Sequence, residues 1–166
     1  NTVKTSIGNF VQGQDNFVEN GSNNHFEGRA NTGSRAIKCH AEGQENIISG
    51  SSVGTVTGAH VEGYKNTAEN NPVFGDASFA HVEGTECGVL GDYSHAEGGG
   101  TSASGDYSHT EGESTYAIGS HSHAEGDNTT ASGSASHAEG FQSLASGNYS
   151  HAEGESSQAL GAGSHA

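Results

Sequence analysis

The tetrapeptide His-x-Glu-Gly recurs along this 166-residue sequence and constrains its fold more than any other feature. The copies begin at His25, His40, His60, His81, His95, His109, His123, His137 and His151, and a tenth copy is cut off after His165. The first four copies are 15, 20 and 21 residues apart, and every later interval is 14 residues. A short fixed period of this kind indicates a repeat protein, in which each unit stacks on its neighbour.

Each 14-residue period contains two short segments that end in glycine. The first reads Ser-His-Ala-Glu-Gly, as in residues 94–98, and the second reads Thr-x-Ala-Ser-Gly, as in residues 101–105. A glycine every seven residues would destabilise a helix by about 1 kcal/mol each, whereas short alternating segments between glycines are typical of strands. The period therefore predicts an all-β fold, a parallel β-solenoid whose coils lie about 4.8 Å apart.

Composition agrees with a repeat architecture and disfavours three other classes. Phe, Leu, Ile and Val total 23 residues, about 14% of the chain, which is too few for a conventional globule with a large apolar core. Twenty acidic residues against five basic ones give a net charge of −15, so we expect no nucleic-acid partner. No apolar run is long enough to span a membrane, and we expect no membrane insertion.

Strand alternation places Ser and Ala of Ser-His-Ala-Glu on one face and His and Glu on the other. The Ala position is small or apolar in almost every copy, which indicates that it faces the interior of the coil. Its occupants are Phe26, Ala41, Val61, Val82, Ala96, Thr110, Ala124, Ala138 and Ala152. An interior this thin contributes little against about 1–2 kcal/mol of backbone entropy per residue, so the coil must bury another face against partner chains. Three chains around an axis would close such a fibre, and we predict a homotrimeric rod.

The spacing divides the chain into two regions. Residues 1–80 are predicted to form irregular coils with two inserted loops, 51–58 and 70–79, and residues 81–166 to form regular 14-residue coils that stop in the middle of a repeat. Because insertions in a solenoid lie on its surface, the two loops are candidates for receptor or glycan contact, or for bracing a neighbouring chain. The chain is interpreted as a piece of a longer protein.

The half-repeats resemble two known groups of surface proteins. Alternating Ser-x-Ala-x-Gly segments with a 14-residue period are similar to the head repeats of trimeric autotransporter adhesins, and the Ser-His-Ala-Glu-Gly variant resembles stretches of bacteriophage tail fibres. The resemblance is strong over 81–166 and looser over 10–80. It implies a left-handed parallel β-roll in which three chains associate. The adhesin pattern has apolar residues where this chain has His and Glu.

The His and Glu positions are nearly invariant between copies, whereas the residue after the motif glycine varies. We therefore predict a shared structural role, a ladder at the contact between three chains. Its members are His25, Glu27, His40, Glu42, His60, Glu62, His81, Glu83, His95, Glu97, His109, Glu111, His123, Glu125, His137, Glu139, His151 and Glu153. A solvent-facing ladder and a metal-binding ladder are the alternatives, because His and Glu are both ligands of transition metals.

One position is a separate candidate for a metal. His121-Ser-His123 is the single His-x-His of the sequence, so a trimer could present six imidazoles there, as in the iron-binding His-x-His of phage tail-fibre tips that it resembles. The other interpretation is that His121 fills the position held by Tyr93, Tyr107 and Tyr149 in other coils. No other cofactor is predicted. Cys39 and Cys87 fit no metal or redox spacing and are expected to be two buried thiols.

The predicted function is mechanical. Catalytic groups are unique in a chain, whereas His, Glu and Ser repeat identically here, so we expect no enzymatic site. The first hypothesis is a structural shaft segment of an extracellular trimeric fibre, on a phage tail or a bacterial surface, that positions a receptor-binding tip. The alternative is an adhesin head that contacts host glycans or proteins. The expected partners are two copies of itself, neighbouring segments of the fibre and, for a head, a cell-surface receptor.

Overall fold

Strands account for all regular structure in the part of the chain that the computed structural model describes, residues 1–50, 54–69 and 77–166. In chain order they are β1 (Thr2–Lys4), β2 (Phe10–Gln14), β3 (Phe17–Glu19), β4 (His25–Arg29), β5 (Thr32–Ser34), β6 (Ala36–Ile37), β7 (His40–Gln44), β8 (Ile47–Ser49), β9 (Val56–Thr57), β10 (His60–Tyr64), β11 (Thr67–Glu69), β12 (Ala77–Ser78), β13 (His81–Thr85), β14 (Gly88–Val89), β15 (His95–Gly99), β16 (Ser102–Ala103), β17 (His109–Glu113), β18 (Tyr116–Ala117), β19 (His123–Asp127), β20 (Thr130–Ala131), β21 (His137–Ala138), β22 (Leu144–Ala145), β23 (His151–Ala152) and β24 (Gln158–Ala159). None of the described residues forms a helix that could cross a membrane.

The two halves of the repeat form two long parallel sheets. Strands β2, β4, β7, β10, β13, β15, β17, β19, β21 and β23 carry the motif and stack in that order, and strands β1, β3, β5, β8, β11, β14, β16, β18, β20, β22 and β24 form the second sheet. Motif pairs with motif throughout: His60 lies opposite His40 on one side and His81 on the other. The predicted parallel β-solenoid is therefore confirmed, with about ten turns.

A third side is present in the longer coils. Strand β9 pairs in parallel with both β6 and β12, which gives a three-stranded sheet. The prediction of inserted loops over 51–58 and 70–79 needs correction here, because Val56–Thr57 and Ala77–Ser78 continue this side of the solenoid instead of leaving it. Residues 51–53 and 70–76 of the predicted loops lie outside the described residues.

The 14-residue coils replace the third strand by a turn. In one such turn Tyr107 donates its backbone N–H to Asp92 O (2.8 Å), and the buried Ser108 hydroxyl donates to Gly105 O (2.5 Å). Tyr107 has a φ of +57°, and this left-handed conformation turns the chain toward the next motif strand. The turn shortens the coil from 15 to 14 residues while the register of the motif sheet is kept.

The interior is as thin as the sequence predicts, and its side chains change along the rod. Early coils bury larger apolar groups, and the buried apolar residues of the late coils are all alanine, with buried serine and threonine beside them. The early group comprises Val18, Phe26, Ile48, Val56, Val61, Val82 and Val89; the late group comprises Ala96, Ala103, Ala117, Ala124, Ala131, Ala138, Ala145, Ala152 and Ala159. Thr110 interrupts the alanines, and its buried hydroxyl has no hydrogen-bond partner in the chain.

Asparagines form a buried ladder at one corner of the early coils. The Asn46 amide donates to Glu42 O (2.7 Å) and to Gly63 O (3.0 Å), and its oxygen accepts the backbone N–H of Asn66 (3.0 Å). Asn16, Asn31 and Asn66 make the same three kinds of bond. Every amide thus ties two consecutive coils together, and the sequence signals this by asparagines at intervals of 15, 15 and 20 residues.

The motif glycines are required where consecutive coils touch. Gly112 has a φ of +107°, and a Cβ there would overlap the carbonyl oxygen of Gly126 in the next coil. An L-residue is strained at this φ and has no space for its side chain. The chain therefore keeps glycine in every motif, which explains the regular spacing of this residue.

Candidate functional site

The motif histidines form one continuous column of imidazole rings on the outside of the motif sheet. From His25 to His165, rings of successive coils have centroids 4.5–5.0 Å apart. The rings are nearly parallel from His81 onward, with interplanar angles of 1–8°. They tilt to 45° and 48° on either side of His60, where the intervals are 20 and 21 residues.

The motif glutamates line the same face, beside the histidines. Eight histidines have Nε2 3.4–3.9 Å from a carboxylate oxygen of the glutamate two residues later. These separations are longer than the 2.7–2.9 Å of a charge-assisted hydrogen bond. The structure therefore places the residues of the predicted ladder together on one face, with the side chains of these eight histidines about a third to two-fifths exposed.

The ladder leaves a row of nitrogen atoms without partners. Nε2 of eight histidines is shielded from solvent by its own chain and has no hydrogen-bond partner: His25, His40, His60, His95, His109, His123, His137 and His151. A buried polar atom without a partner costs about 1–3 kcal/mol. These atoms follow one another along the motif sheet at the spacing of the coils.

Three ladder histidines have a pKa below the ordinary value of 6.5. For His40, His95 and His123 the main cause is desolvation, followed by repulsion from the histidines of the coils above and below; the neighbouring glutamates raise the pKa by less. These imidazoles are therefore neutral at pH 7, and their contacts to glutamate are not ion pairs at that pH. This agrees with the long distances between Nε2 and the carboxylates.

Four groups in the late coils bring together potential metal ligands. Each consists of two successive histidines and the glutamate between them, starting at His109, His123, His137 and His151, with ligand atoms within 4.8 Å of one another. A metal lies about 2.0–2.1 Å from a ring nitrogen and in the plane of the ring. Rings that stack with interplanar angles of 1–8° direct their nitrogens along parallel planes, so two of them in one chain cannot share an ion without rotating.

His121 lies in a different column from His123. It has a φ of +60° and stacks on Tyr107 with ring centroids 5.0 Å apart, whereas His123 stacks between His109 and His137. Among the described residues, the groups of metal ligands include His123 but not His121. The position of His121 matches the interpretation that it replaces a tyrosine, and a metal site shared by His121 and His123 of three chains stays a prediction.

His121 belongs to a second column of rings, at the position that the sequence assigns to Tyr93, Tyr107 and Tyr149 in other coils. We call it the turn column: the residue two positions before each motif histidine, from Phe79 to Tyr149. Its members are Phe79, Tyr93, Tyr107, His121, Ala135 and Tyr149, all with φ between 52° and 60°. The rings of the first four stack at 5.0–5.4 Å, and the four aromatic members outside His121 are 51–74% exposed. The signal in the sequence was the tyrosine at 14-residue intervals.

The two cysteines are buried free thiols, as predicted. Cys39 occupies the position that Asn24 holds one coil earlier. Its Sγ donates to Val56 O (3.3 Å). Cys87 takes the place of an asparagine in the corner ladder, and its Sγ donates to Gly98 O (3.2 Å). Burial raises the pKa of the Cys39 thiol.

Comparison with known families identifies the repeat. The family described as YadA head domain repeat matches in two copies, over residues 111–136 and 138–164, about a third of the chain. Over these residues the chain is similar to head-type repeats of trimeric autotransporter adhesins, so the resemblance predicted from the motifs is confirmed there. YadA-like adhesins are extracellular surface appendages of bacteria. None of the curated proteins matches the sequence.

Proposed function

We propose that this chain is a homotrimeric rod of an extracellular adhesin-type fibre, in which three chains meet through their histidine–glutamate faces. The observation that carries the proposal is the row of eight shielded Nε2 atoms without partners. An imidazole with its proton on Nε2 donates one hydrogen bond, and a carboxylate accepts several. Glutamates of the neighbouring chain complete these bonds and remove the penalty for the shielded nitrogens.

The repeat turns this contact into a stack of layers. Each coil adds three histidines and three glutamates at a rise of about 4.8 Å, the spacing at which the rings already stack. Because the interior of the late coils contains only alanine, serine and threonine, the contact between chains supplies apolar burial that the single coil lacks. The trimer is therefore the stable unit, and its length grows with the number of repeats.

The work of such a rod is mechanical. It holds a receptor-binding part away from the base of the fibre, and no step of catalysis is assigned to its residues. The family match favours a fibre on a bacterial surface. A phage tail fibre built from the same repeat would use the same contact between chains.

A binding head is the second candidate. The observation that favours it is the turn column, which presents exposed aromatic side chains on the rod: Phe79, Tyr93, Tyr107 and Tyr149 are 59%, 51%, 55% and 74% exposed. Exposed aromatic groups of this kind are common at protein interaction sites. In this case the rod extends the fibre and also binds a receptor through the turn column.

Two charge reversals on one strand test the proposed contact. Glu111 lies in the ladder, and the exposed Glu113 lies beyond the corner at Gly112. Glu111→Lys places three cations in one layer of the trimer axis and is expected to dissociate the trimer in sedimentation equilibrium. Glu113→Lys makes the same charge change outside the contact and is expected to leave the mass unchanged. Equal effects of the two substitutions would contradict the proposed face.

A further inference from the structure

The turn column lacks a ring at Ala135, which leaves a gap between the rings of His121 and Tyr149. Rings stack from Phe79 through Tyr93 and Tyr107 to His121, but the next member is Ala135, and the ring resumes at Tyr149. Ala135 and Tyr149 have the same backbone as the others, with φ of 52° and 58°. His121 and Tyr149 are therefore two coil steps apart, about 10 Å, with no side chain beyond Cβ between their rings.

The gap has the dimensions of one planar group. A ring or guanidinium placed midway would lie about 5 Å from each wall, the spacing that the column itself uses between Tyr107 and His121 (5.0 Å). Tyr149 is 74% exposed, compared with 55% for Tyr107, which has a ring on either side. Because Gly163 follows in the same column, no ring of the column covers either face of Tyr149.

The negative charge around the gap favours a planar group that is a cation. Residues 66–166 contain fourteen acidic residues and no lysine or arginine, so this part of the rod attracts cations. The face of a tyrosine ring is the negative part of its quadrupole, and arginine is the cation most often found over such a face. A lysine ammonium is compact, strongly hydrated and not planar, and it fills a flat gap poorly.

We propose that the gap between His121 and Tyr149 binds the guanidinium group of an arginine side chain on a partner protein. A neighbouring copy in a parallel, in-register trimer cannot supply this group, because all five basic residues of the chain lie within residues 1–65. The occupant that we assign to the gap is an exposed arginine of a different protein. The site goes beyond the proposed rod, since it uses a surface other than the histidine–glutamate face.

The experiment titrates the whole chain with N-acetyl-arginine amide and follows the ring signals of the tyrosines by NMR. The expected result is a saturable shift of Tyr149 that exceeds the shifts of Tyr93 and Tyr107, that weakens with added salt, and that N-acetyl-lysine amide reproduces only at several-fold higher concentration. Equal shifts at all three tyrosines would show non-specific attraction to an acidic surface and overturn the proposal. Equal binding of N-acetyl-tyrosine amide would show a neutral aromatic site and overturn it too.

Two variants locate the site. Ala135→Tyr fills the gap with a residue that the same backbone already carries at positions 93, 107 and 149, so the fold is retained and arginine binding is expected to fall at least about fivefold. Tyr149→Ala removes one wall and is expected to weaken binding similarly. Tyr93→Ala, the matched control, leaves the gap intact. If Ala135→Tyr binds arginine as tightly as the parent chain, the assignment of this site is wrong.

Discussion

The early and late coils keep the same strand register but differ in their buried side chains and corner residues. Coils up to about residue 80 bury valine, isoleucine and phenylalanine and turn one corner with asparagine, and those between residues 36 and 78 have a third strand. The late coils replace that strand by a tight turn and bury alanine, with threonine or serine at the corner. The larger buried side chains are thus concentrated in the longer coils, although the first 14-residue coil still buries Val82 and Val89. The outer histidine column continues through both regions with ring centroids 4.5–5.0 Å apart, although its rings tilt on either side of His60.

Substitution of a motif glycine is expected to cause the largest loss of unfolding free energy, in either region. Gly112→Ala introduces a Cβ into the carbonyl of Gly126 at a strained φ, and the expected loss is about 3 kcal/mol of unfolding free energy. Gly99→Ala, one coil earlier, is the control, because a Cβ there meets nothing within 4 Å. Urea unfolding measures both. A small loss for Gly112→Ala would contradict the close approach of the coils.

The corner residues distinguish the regions directly. Asn46→Ala removes three hydrogen bonds, including the one that Asn46 Oδ1 accepts from the buried Asn66 N–H, so the expected loss is about 2 kcal/mol. Ser143→Ala removes one bond, from its hydroxyl to Gly154 O (3.0 Å), and about 1 kcal/mol is expected. Equal losses in urea unfolding would show that the two kinds of corner are equivalent.

The histidine column should respond to acid in both regions alike. A folded pKa below the unfolded value of about 6.5 means that the unfolded chain binds more protons, so stability is full above pH 6.5 and falls as the pH drops through the folded pKa. The melting temperature is therefore expected to be lower at pH 5 than at pH 7.5. His123→Gln should reduce this dependence. His121→Gln, which changes a histidine outside the ladder, should not.

The smallest expected effect concerns the interior of the late coils. Thr110→Val keeps the shape of the side chain and removes a buried hydroxyl that has no partner, in a position that valine already occupies at Val61 and Val82. The expected gain is about 1 kcal/mol. Ala124→Val adds volume to an alanine layer and is expected to destabilise by about 1–3 kcal/mol. Gains from both substitutions would show that the late interior is not filled.

The repeat in the sequence was sufficient to predict the architecture, the buried Ser and Ala positions and the outward His and Glu positions. The period determines the register, and the alternation within Ser-His-Ala-Glu determines which face is buried. The third sheet was not predicted, because Val56–Thr57 and Ala77–Ser78 lie in irregular intervals that interrupt the pattern. The gap at Ala135 was also missed, since its meaning depends on rings that are 14 residues away in the sequence and one coil away in space.

The mass of the chain in solution tests the central claim most directly. Sedimentation equilibrium at pH 7.5 and micromolar concentration is expected to give about 50 kDa, three times the 16.8 kDa of one chain. Lowering the pH to 5 should shift the mass toward the single chain, as protonated histidines repel one another at the contact. A mass of 16.8 kDa at pH 7.5 would contradict the account, because the shielded Nε2 atoms would then have no chain to complete them.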